Sequence, residues 1–171
     1  MKMNLKVIDL GLVDYLEAWN IQKDTLAKVI EGKLDSALII CRHYPVITLG
    51  RSASRDSLRF SKEVIHGRGV KLYNVERGGD ATYHGPGQLT VYPLLNLGYF
   101  KRDIDWFLRE LESLVISSLA DLNLRVYRVD AFTGAWMGNK KIASIGIAIK
   151  HWVTYHGLSI NIKRDDLANF A

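Results

Sequence analysis

The chain concentrates glycine in one short stretch, residues 77–88, which reads Arg-Gly-Gly-Asp-Ala-Thr-Tyr-His-Gly-Pro-Gly-Gln and holds four of the fourteen glycines. Glycine lets the backbone approach a ligand closely, and Arg77, Thr82 and His84 place hydrogen-bond donors in the same stretch. The order is neither that of a phosphate-binding P-loop nor that of a dinucleotide fingerprint. The glycines alone would fit a turn between two strands equally well. With its donors, the stretch indicates a ligand-binding loop.

Two further clusters could do chemistry. Residues 140–146, Lys-Lys-Ile-Ala-Ser-Ile-Gly, follow a Gly138-Asn139 turn. A lysine at a turn is usually solvated, but one that points into a pocket could carry protons. Lys141 adjoins the predicted strand and is a better candidate than Lys140. In residues 154–161, the backbone amides around Gly157 could bind a carbonyl or an oxyanion, although this cluster alone also fits a strand with a satisfied histidine.

The only cysteine, Cys41, is an unpromising nucleophile. It ends the apolar run Leu-Ile-Ile-Cys, where a thiol behaves as a small hydrophobic group with a raised pKa. We therefore expect it to be buried and inert. His43 could orient it as a base, but nothing else in the sequence supports that pair. A single cysteine excludes an internal disulfide, and the lack of a Cys/His cluster predicts no metal site.

Charge and hydropathy narrow the class of protein. Twenty-three Lys and Arg against eighteen Asp and Glu give a net charge of +5, which favours acidic partners. Because no basic run exceeds two residues, a dedicated nucleic-acid binder is disfavoured. The longest apolar run, residues 37–41, is far shorter than the roughly 20 residues that cross a bilayer. Asp9 also interrupts the N-terminal apolar stretch, so we expect a cytoplasmic protein that neither enters a membrane nor carries a signal peptide.

Periodicity predicts the elements that must position these clusters. Helical spacing follows two candidate N-caps, Asp14 and Asp103, and Gly32 closes the first helix. The apolar run at 37–41 predicts a strand buried on both faces. Shorter or alternating patterns predict further extended segments at 5–10, 46–49, 126–129, 134–137, 142–149 and 156–162, with a hairpin at Gly138-Asn139.

These elements mix without regular βαβ alternation, which favours an α+β fold in which helices pack on a largely antiparallel mixed sheet. No repeat or linker divides the 171 residues, so we expect a single domain over 1–171. A chain of this length can bury about 70% of its unfolded surface.

Taken together, the strings Arg-Gly-Gly...His-Gly-Pro-Gly-Gln, Lys-Ile-Ala-Ser-Ile-Gly and His-Gly-Leu-Ser-Ile-Asn resemble the lipoyl(octanoyl) transferase family. The resemblance runs from the first strand to Ala171. The related lipoate and biotin protein ligases share the fold, but lipoate ligases lack the His-Gly-Pro-Gly-Gln run. The resemblance thus implies the catalytic-domain fold of biotin and lipoate protein ligases.

What the resemblance implies about activity is transfer of an octanoyl group from acyl carrier protein to a lysine of lipoyl carrier domains, without a cofactor. The acceptors would be the lipoyl domains of 2-oxoacid dehydrogenases and the glycine cleavage H protein. The acyl group would pass through an enzyme cysteine whose pKa the catalytic Lys141 lowers. The implied substrate-binding residues are Arg77, Gly78, Gly79, Asp80, Ala81, Thr82, Tyr83, His84, Ser144, Ile145, Gly146, Gly157, Leu158 and Ser159.

The chain departs from the family at its nucleophile. The family's cysteine sits in a Pro-Cys-Gly motif just beyond the position that matches Ala171, and Cys41 matches no catalytic position. We therefore expect a domain truncated before that motif, with residues 163–171 as the approach to it. Two alternatives stay open: an ATP-dependent lipoate-protein ligase, and a non-catalytic acyl-binding remnant.

Overall fold

The computed structural model describes residues 3–163, which form three α-helices and ten strands. The stretch 164–171, most of the expected approach to the cysteine motif, lies outside these residues. The helices are α1 (Tyr15–Ile30), α2 (Lys62–Gly67) and α3 (Ile104–Ala120). The strands are β1 (Leu5–Val13), β2 (Ser36–His43), β3 (Val46–Leu49), β4 (Lys71–Asn74), β5 (Ala81–His84), β6 (Gln88–Leu95), β7 (Tyr127–Val129), β8 (Phe132–Met137), β9 (Lys140–Lys150) and β10 (Val153–Asn161).

The strands form two sheets. A seven-stranded sheet has the order β1-β2-β6-β10-β9-β8-β7, and a three-stranded sheet has the order β4-β3-β5. Each sheet contains one parallel pair, β1 with β2 and β3 with β4, and the other pairs are antiparallel. The α+β fold with a largely antiparallel mixed sheet, expected from the sequence, is confirmed.

Helix α1 begins where its predicted cap places it, because the Asp14 carboxylate accepts a hydrogen bond of 2.9 Å from the Leu16 amide. Its apolar face includes Ala18, Leu26 and Val29. These side chains share a core with residues of β2 and β6, which are neighbouring strands of the large sheet. This core anchors the strands that carry one wall of the site.

Helix α3 begins at the other predicted cap, Asp103, which accepts from the Trp106 amide at 2.9 Å. Its apolar residues share a second core with Ala135 of β8 and Ala143 of β9. In β6, Tyr92 and Leu94 belong to the α1 core, whereas Val91 and Leu95 pack against the α3 core. Since successive strand residues point to opposite faces, α1 and α3 cover opposite faces of the large sheet.

Among the α-helices and strands, four were not predicted from the sequence: α2, β4, β5 and β6. Strand β6 lies between β2 and β10 in the middle of the large sheet, and β5 completes the small sheet. The glycine-rich stretch, residues 77–88, begins after β4, contains β5 and ends at the first residue of β6. Among the helices described here, none is long and apolar enough to cross a membrane.

Candidate functional site

A cavity of about 310 Å³ is lined by the glycine-rich stretch, which includes β5, and by residues of the strands β6, β9 and β10. This volume lies at the lower end of the range for small-molecule sites. All fifteen residues named from the sequence line it except Tyr83. The structure therefore brings three separate stretches of the sequence to one hollow. That they bind substrate stays a prediction.

Tyr83 is the residue that the structure places elsewhere. It lies between Thr82 and His84 in β5, and successive strand side chains point to opposite faces. Its ring is buried with Ile65 and Val70 in a small core under α2. Its side chain therefore packs behind the strand instead of lining the cavity.

Strand register gives one wall of the cavity a row of hydroxyl groups. Ser159 of β10 pairs with Thr90 of β6 on one side and with Ser144 of β9 on the other. Residues directly opposite each other in a sheet share a face, so the three hydroxyl side chains lie side by side. Gly157 pairs with Gly146 two residues along each strand and keeps that part of the wall free of side chains. This wall is therefore formed by small polar side chains and glycines, and the apolar residues Leu158 and Ile145 also line the cavity.

The glycine-rich stretch is tied to both sheets. The Gly78 amide donates to the Ile147 carbonyl of β9 at 2.9 Å, and the Arg51 amide donates to the Arg77 carbonyl at 3.0 Å. A Cβ at Gly146 would lie 3.0 Å from the Gly78 carbonyl oxygen, which is closer than a side chain tolerates without movement. Gly146 therefore lets the loop pack directly on β9.

Arg77 stabilises this loop from within. Its side chain is buried, and Nε and Nη2 donate to the Thr48 hydroxyl of β3 at 3.2 and 2.9 Å. Nη2 also donates to the Thr48 carbonyl at 2.7 Å. Burial lowers the pKa of the guanidinium. Arg77 thus joins the small sheet to the cavity and brings a positive charge to its lining.

Lys141 lies on the cavity at the start of β9 and pairs with Trp136 of β8. Its Nζ is 5.2 Å from the centre of a Trp136 ring. The residue is exposed overall, but partial burial lowers the pKa of its ammonium, while the charge of Glu112 raises it. Lys140 is exposed and is not part of the cavity lining. The preference for Lys141 over Lys140 therefore agrees with their positions.

Four lining residues were not named from the sequence as site residues: Tyr15, Thr90, Tyr92 and His156. They come from α1, β6 and β10, and only the tertiary fold brings them together. His156 carried the one available signal, since it begins the string His-Gly-Leu-Ser-Ile-Asn. It has a φ of 55°, which is rare for a residue with a side chain, and it lies 3.3 Å from a Glu76 carboxylate oxygen.

The histidines of the cavity are buried bases. Burial, together with the nearby His43, lowers the pKa of His84 to about 3. Burial also lowers the pKa of His156, against the opposing effect of Glu76. Both imidazoles are therefore neutral at pH 7, and each can donate one hydrogen bond and accept another.

A chain of amide side chains links His84 to the backbone of Lys141. His84 Nδ1 lies 3.2 Å from Gln88 Oε1. Gln88 Nε2 donates to Asn161 Oδ1 at 2.8 Å, and Asn161 Nδ2 donates to the Lys141 carbonyl at 3.2 Å. These bonds connect the end of β5 to the start of β9, both of which line the cavity.

Cys41 is confirmed as a buried thiol, with an exposed fraction of 1%. Burial raises its pKa to about 12. The sulfur lies 3.4 Å from His43 Nε2, but burial lowers the pKa of that imidazole to about 4, and the same nitrogen lies 2.7 Å from the Tyr92 hydroxyl. The neutral pair does not generate a thiolate at neutral pH.

The chain matches known octanoyltransferases over most of its length. It is 40% identical to the octanoyltransferase of Gloeobacter violaceus over 160 residues, which cover 93% of this chain and 70% of that protein. It is 40% identical to the enzyme of Clostridium kluyveri and 43% identical to a chloroplastic octanoyltransferase of Arabidopsis thaliana. These matches cover 88% and 90% of this chain but 65% and 56% of the relatives, so the chain corresponds to part of each.

Solved structures share the fold at low sequence identity. A lipoate protein ligase of T. acidophilum with bound lipoic acid superposes with a TM-score of 0.71 at 18% identity, over 96% of this chain and 70% of that chain. Lipoate-protein ligase A bound with ATP gives 0.70 at 18% identity, over 98% and 69%. The family model of the lipoyl protein ligase A/B catalytic domain matches residues 14–171. The chain therefore belongs to the lipoyl protein ligase A/B catalytic domain family.

Proposed function

We propose that this chain is the acyl-binding catalytic domain of an octanoyltransferase of lipoate biosynthesis. Its sequence relatives are octanoyltransferases at about 40% identity. The observation that carries the proposal is the single cavity, which joins the loop from Arg77 to His84, the wall of β9 and β10, and Lys141. In this reading the cavity holds the octanoyl group, with the thioester near Lys141.

The acceptor is a lipoyl domain, as the octanoyltransferase relatives and a structure of a lipoate protein ligase with its E2 lipoyl domain support. Octanoyl-acyl carrier protein as donor, and the 2-oxoacid dehydrogenase and glycine cleavage proteins as acceptors, are the finer part of the proposal. The net charge of +5 favours acidic partners and accelerates their encounter more than it tightens binding. The cytoplasmic location stays a prediction.

The chemistry asks two things of the described residues. Hydrogen-bond donors must hold the thioester carbonyl as negative charge develops on its oxygen. A base must take a proton from the attacking group, and an acid must return one to the leaving thiol. Lys141 suits the second task, because partial burial brings its pKa down toward the working range. The attacking cysteine that the resemblance implies is not Cys41, which is buried and whose pKa is raised by that burial.

The transfer then balances in two steps. A cysteine thiolate attacks the octanoyl thioester, the carbon–sulfur bond to the donor breaks, and the donor thiol leaves with a proton from Lys141. The neutral amine of the acceptor lysine next attacks the enzyme thioester, the carbon–sulfur bond to the enzyme breaks, and the cysteine leaves as a thiolate. An amide forms, and the one proton lost by the amine returns to Lys141. Lys141 thus ends each cycle in its starting protonation state.

The test mixes octanoyl-acyl carrier protein with a lipoyl domain and measures the gain of an octanoyl group by mass spectrometry. This chain is compared with one extended through the Pro-Cys-Gly motif. We expect the extended chain to acylate the domain lysine. In that chain Lys141→Ala should lower the rate by about 10²-fold or more, whereas the matched Lys140→Ala should leave it unchanged.

Each contrary outcome has a distinct meaning. Failure of the extended chain, with octanoate still bound, would favour a non-catalytic acyl-binding module. Formation of an octanoyl or lipoyl adenylate from ATP would instead identify a ligase. Full activity of Lys141→Ala would remove this lysine from the mechanism while leaving the acyltransferase assignment standing.

A further inference from the structure

Gly134 of β8 lies where the side chain of Lys141 needs space. Its φ is +137°, a region that side chains rarely adopt, and the residue is buried. A Cβ at this position would lie 2.6 Å from Lys141 Cε and 3.3 Å from Nζ. It would also lie 2.5 Å from the Ala143 carbonyl oxygen. Any other residue at 134 would therefore displace the lysine tail or the strand beside it.

Glu112 of α3 holds Gly134 from the other side. Its side chain is fully buried, and Oε1 accepts a hydrogen bond of 2.9 Å from the Gly134 amide. Oε2 accepts from Arg109 Nη1 at 2.7 Å and from Arg128 Nε at 3.0 Å. A buried carboxylate survives as an anion only with such partners. Glu112 thus fixes the backbone of β8 at the residue against which the tail of Lys141 packs.

The same carboxylate acts on the charge of Lys141. Partial burial lowers the pKa of the lysine, and Glu112 raises it. Within residues 3–163, no ion pair or hydrogen bond of Lys141 Nζ is found. Its Nζ lies over the Trp136 ring, and Glu112 is the charged residue that acts on its pKa. The other charged or titratable groups of the cavity and of the Glu112 cluster are Tyr15, Arg77, Asp80, His84, Tyr92, His156, Arg109 and Arg128.

We propose that Gly134 and Glu112 are positioning residues for Lys141: Gly134 leaves the space in which the lysine tail lies, and Glu112 fixes that backbone and faces the ammonium with a negative charge. Neither residue contacts the cavity itself. The importance of Lys141 rests on the proposed function, but its placement does not. The two can therefore be tested separately.

The first test measures the pKa of Lys141 by NMR of its side chain, assigned from a Lys141→Arg spectrum. Glu112→Gln keeps the shape of the side chain and removes its charge, so we expect the Lys141 pKa to fall. Glu110→Gln makes the same change at an exposed position of α3 and should leave the pKa where it was. A purely structural role for Glu112 would lower the urea midpoint without moving the Lys141 pKa.

The second test concerns the space at Gly134. We expect Gly134→Ala to shift the Lys141 resonances and, in the chain extended through Pro-Cys-Gly, to lower kcat more than it raises KM. Gly138→Ala is the matched control in the turn that follows β8. The φ of Gly138 is also positive, but nothing lies within 4 Å of a Cβ added there. Equal effects of the two substitutions would overturn the role of Gly134.

If the variants do not fold, a measurement on the unsubstituted chain tests whether the Lys141 side chain packs against Gly134. Nuclear Overhauser effects between the Lys141 Hε and Gly134 Hα protons should be strong, and their absence would refute the packing. Failure of the proposed function would look different: the pKa response to Glu112→Gln would persist in a protein that transfers no octanoyl group.

Discussion

Thr90 offers a sharp test of the cavity wall, because its buried hydroxyl has no hydrogen-bond partner among the residues that the structure describes. The residue is 1% exposed, and within residues 3–163 no hydrogen-bond partner of Oγ1 is found. An unpaired buried hydroxyl costs about 1–3 kcal/mol. Valine has the same branched shape and suits a strand equally well. We expect Thr90→Val to raise the free energy of unfolding by about 1–3 kcal/mol.

Thr154 provides a control of opposite sign. It is also fully buried, but its hydroxyl donates to the Pro93 carbonyl at 2.7 Å and accepts from the Leu95 amide at 3.1 Å. Thr154→Val removes both bonds and leaves buried backbone groups unpaired, so it should lower the free energy of unfolding by about 1–3 kcal/mol. The same chemical change thus has opposite effects at two positions.

Urea denaturation of the chain without ligand measures both variants. In a domain of this size, 1 kcal/mol corresponds to about 2–4 °C in Tm, which a thermal scan resolves. The slope against urea should not change, because the surface exposed on unfolding is the same. A Thr90→Val midpoint below that of the unsubstituted chain would show that the hydroxyl is hydrogen-bonded in the folded protein, and the reasoning about this wall would fail.

The remaining predictions concern backbone contact and pH. Gly157→Ala should lower the free energy of unfolding by about 3 kcal/mol or more, because its Cβ would lie 2.2 Å from the Val91 carbonyl oxygen. Gly67→Ala, with no atom within 4 Å, should change it by less than about 1 kcal/mol, and equal urea midpoints would contradict the contact. The free energy of unfolding should also fall as the pH drops from about 6.5 toward 4, because the unfolded chain then binds protons at histidines that stay neutral in the folded protein. Each of these histidines should contribute roughly 1 kcal/mol per pH unit to the fall. These histidines are His43, with a pKa of about 4, His84, with a pKa of about 3, and His156, whose pKa is also lowered. In urea titrations at several pH values, His43→Asn should flatten this slope and the exposed His66→Gln should not.

Local patterns predicted those elements whose signals lie within their own sequence. The caps Asp14 and Asp103 placed the starts of both long helices, because a side chain that caps its own helix needs no tertiary partner. The Gly138-Asn139 turn placed the hairpin of β8 and β9. The turn between β9 and β10 was not predicted. Its residues His151 and Trp152 have positive φ values of 50° and 63°, and neither is a glycine, which is the residue that usually indicates such a turn.

Strand β6 shows why the rest could not be read locally. Pro93 lacks an amide hydrogen and argues against a central strand. In the fold, the Thr154 hydroxyl bonds to the Pro93 carbonyl and the Leu95 amide, so a side chain from β10 replaces part of the ladder. These residues are about sixty positions apart in the sequence, and no pattern near Pro93 reveals the contact.

The sequence by itself determined the family resemblance, the two long helices, the buried cysteine and the loop and lysine of the cavity, because each depends on residue types at short spacing. Only the tertiary structure decided that Thr90, Tyr92 and His156 complete the wall, that Tyr83 turns away from it, and that Gly134 and Glu112 lie behind Lys141. The reason is physical. Strand register and helix packing join residues far apart in the chain, and the side chains that fill a hollow are chosen by the face on which register places them.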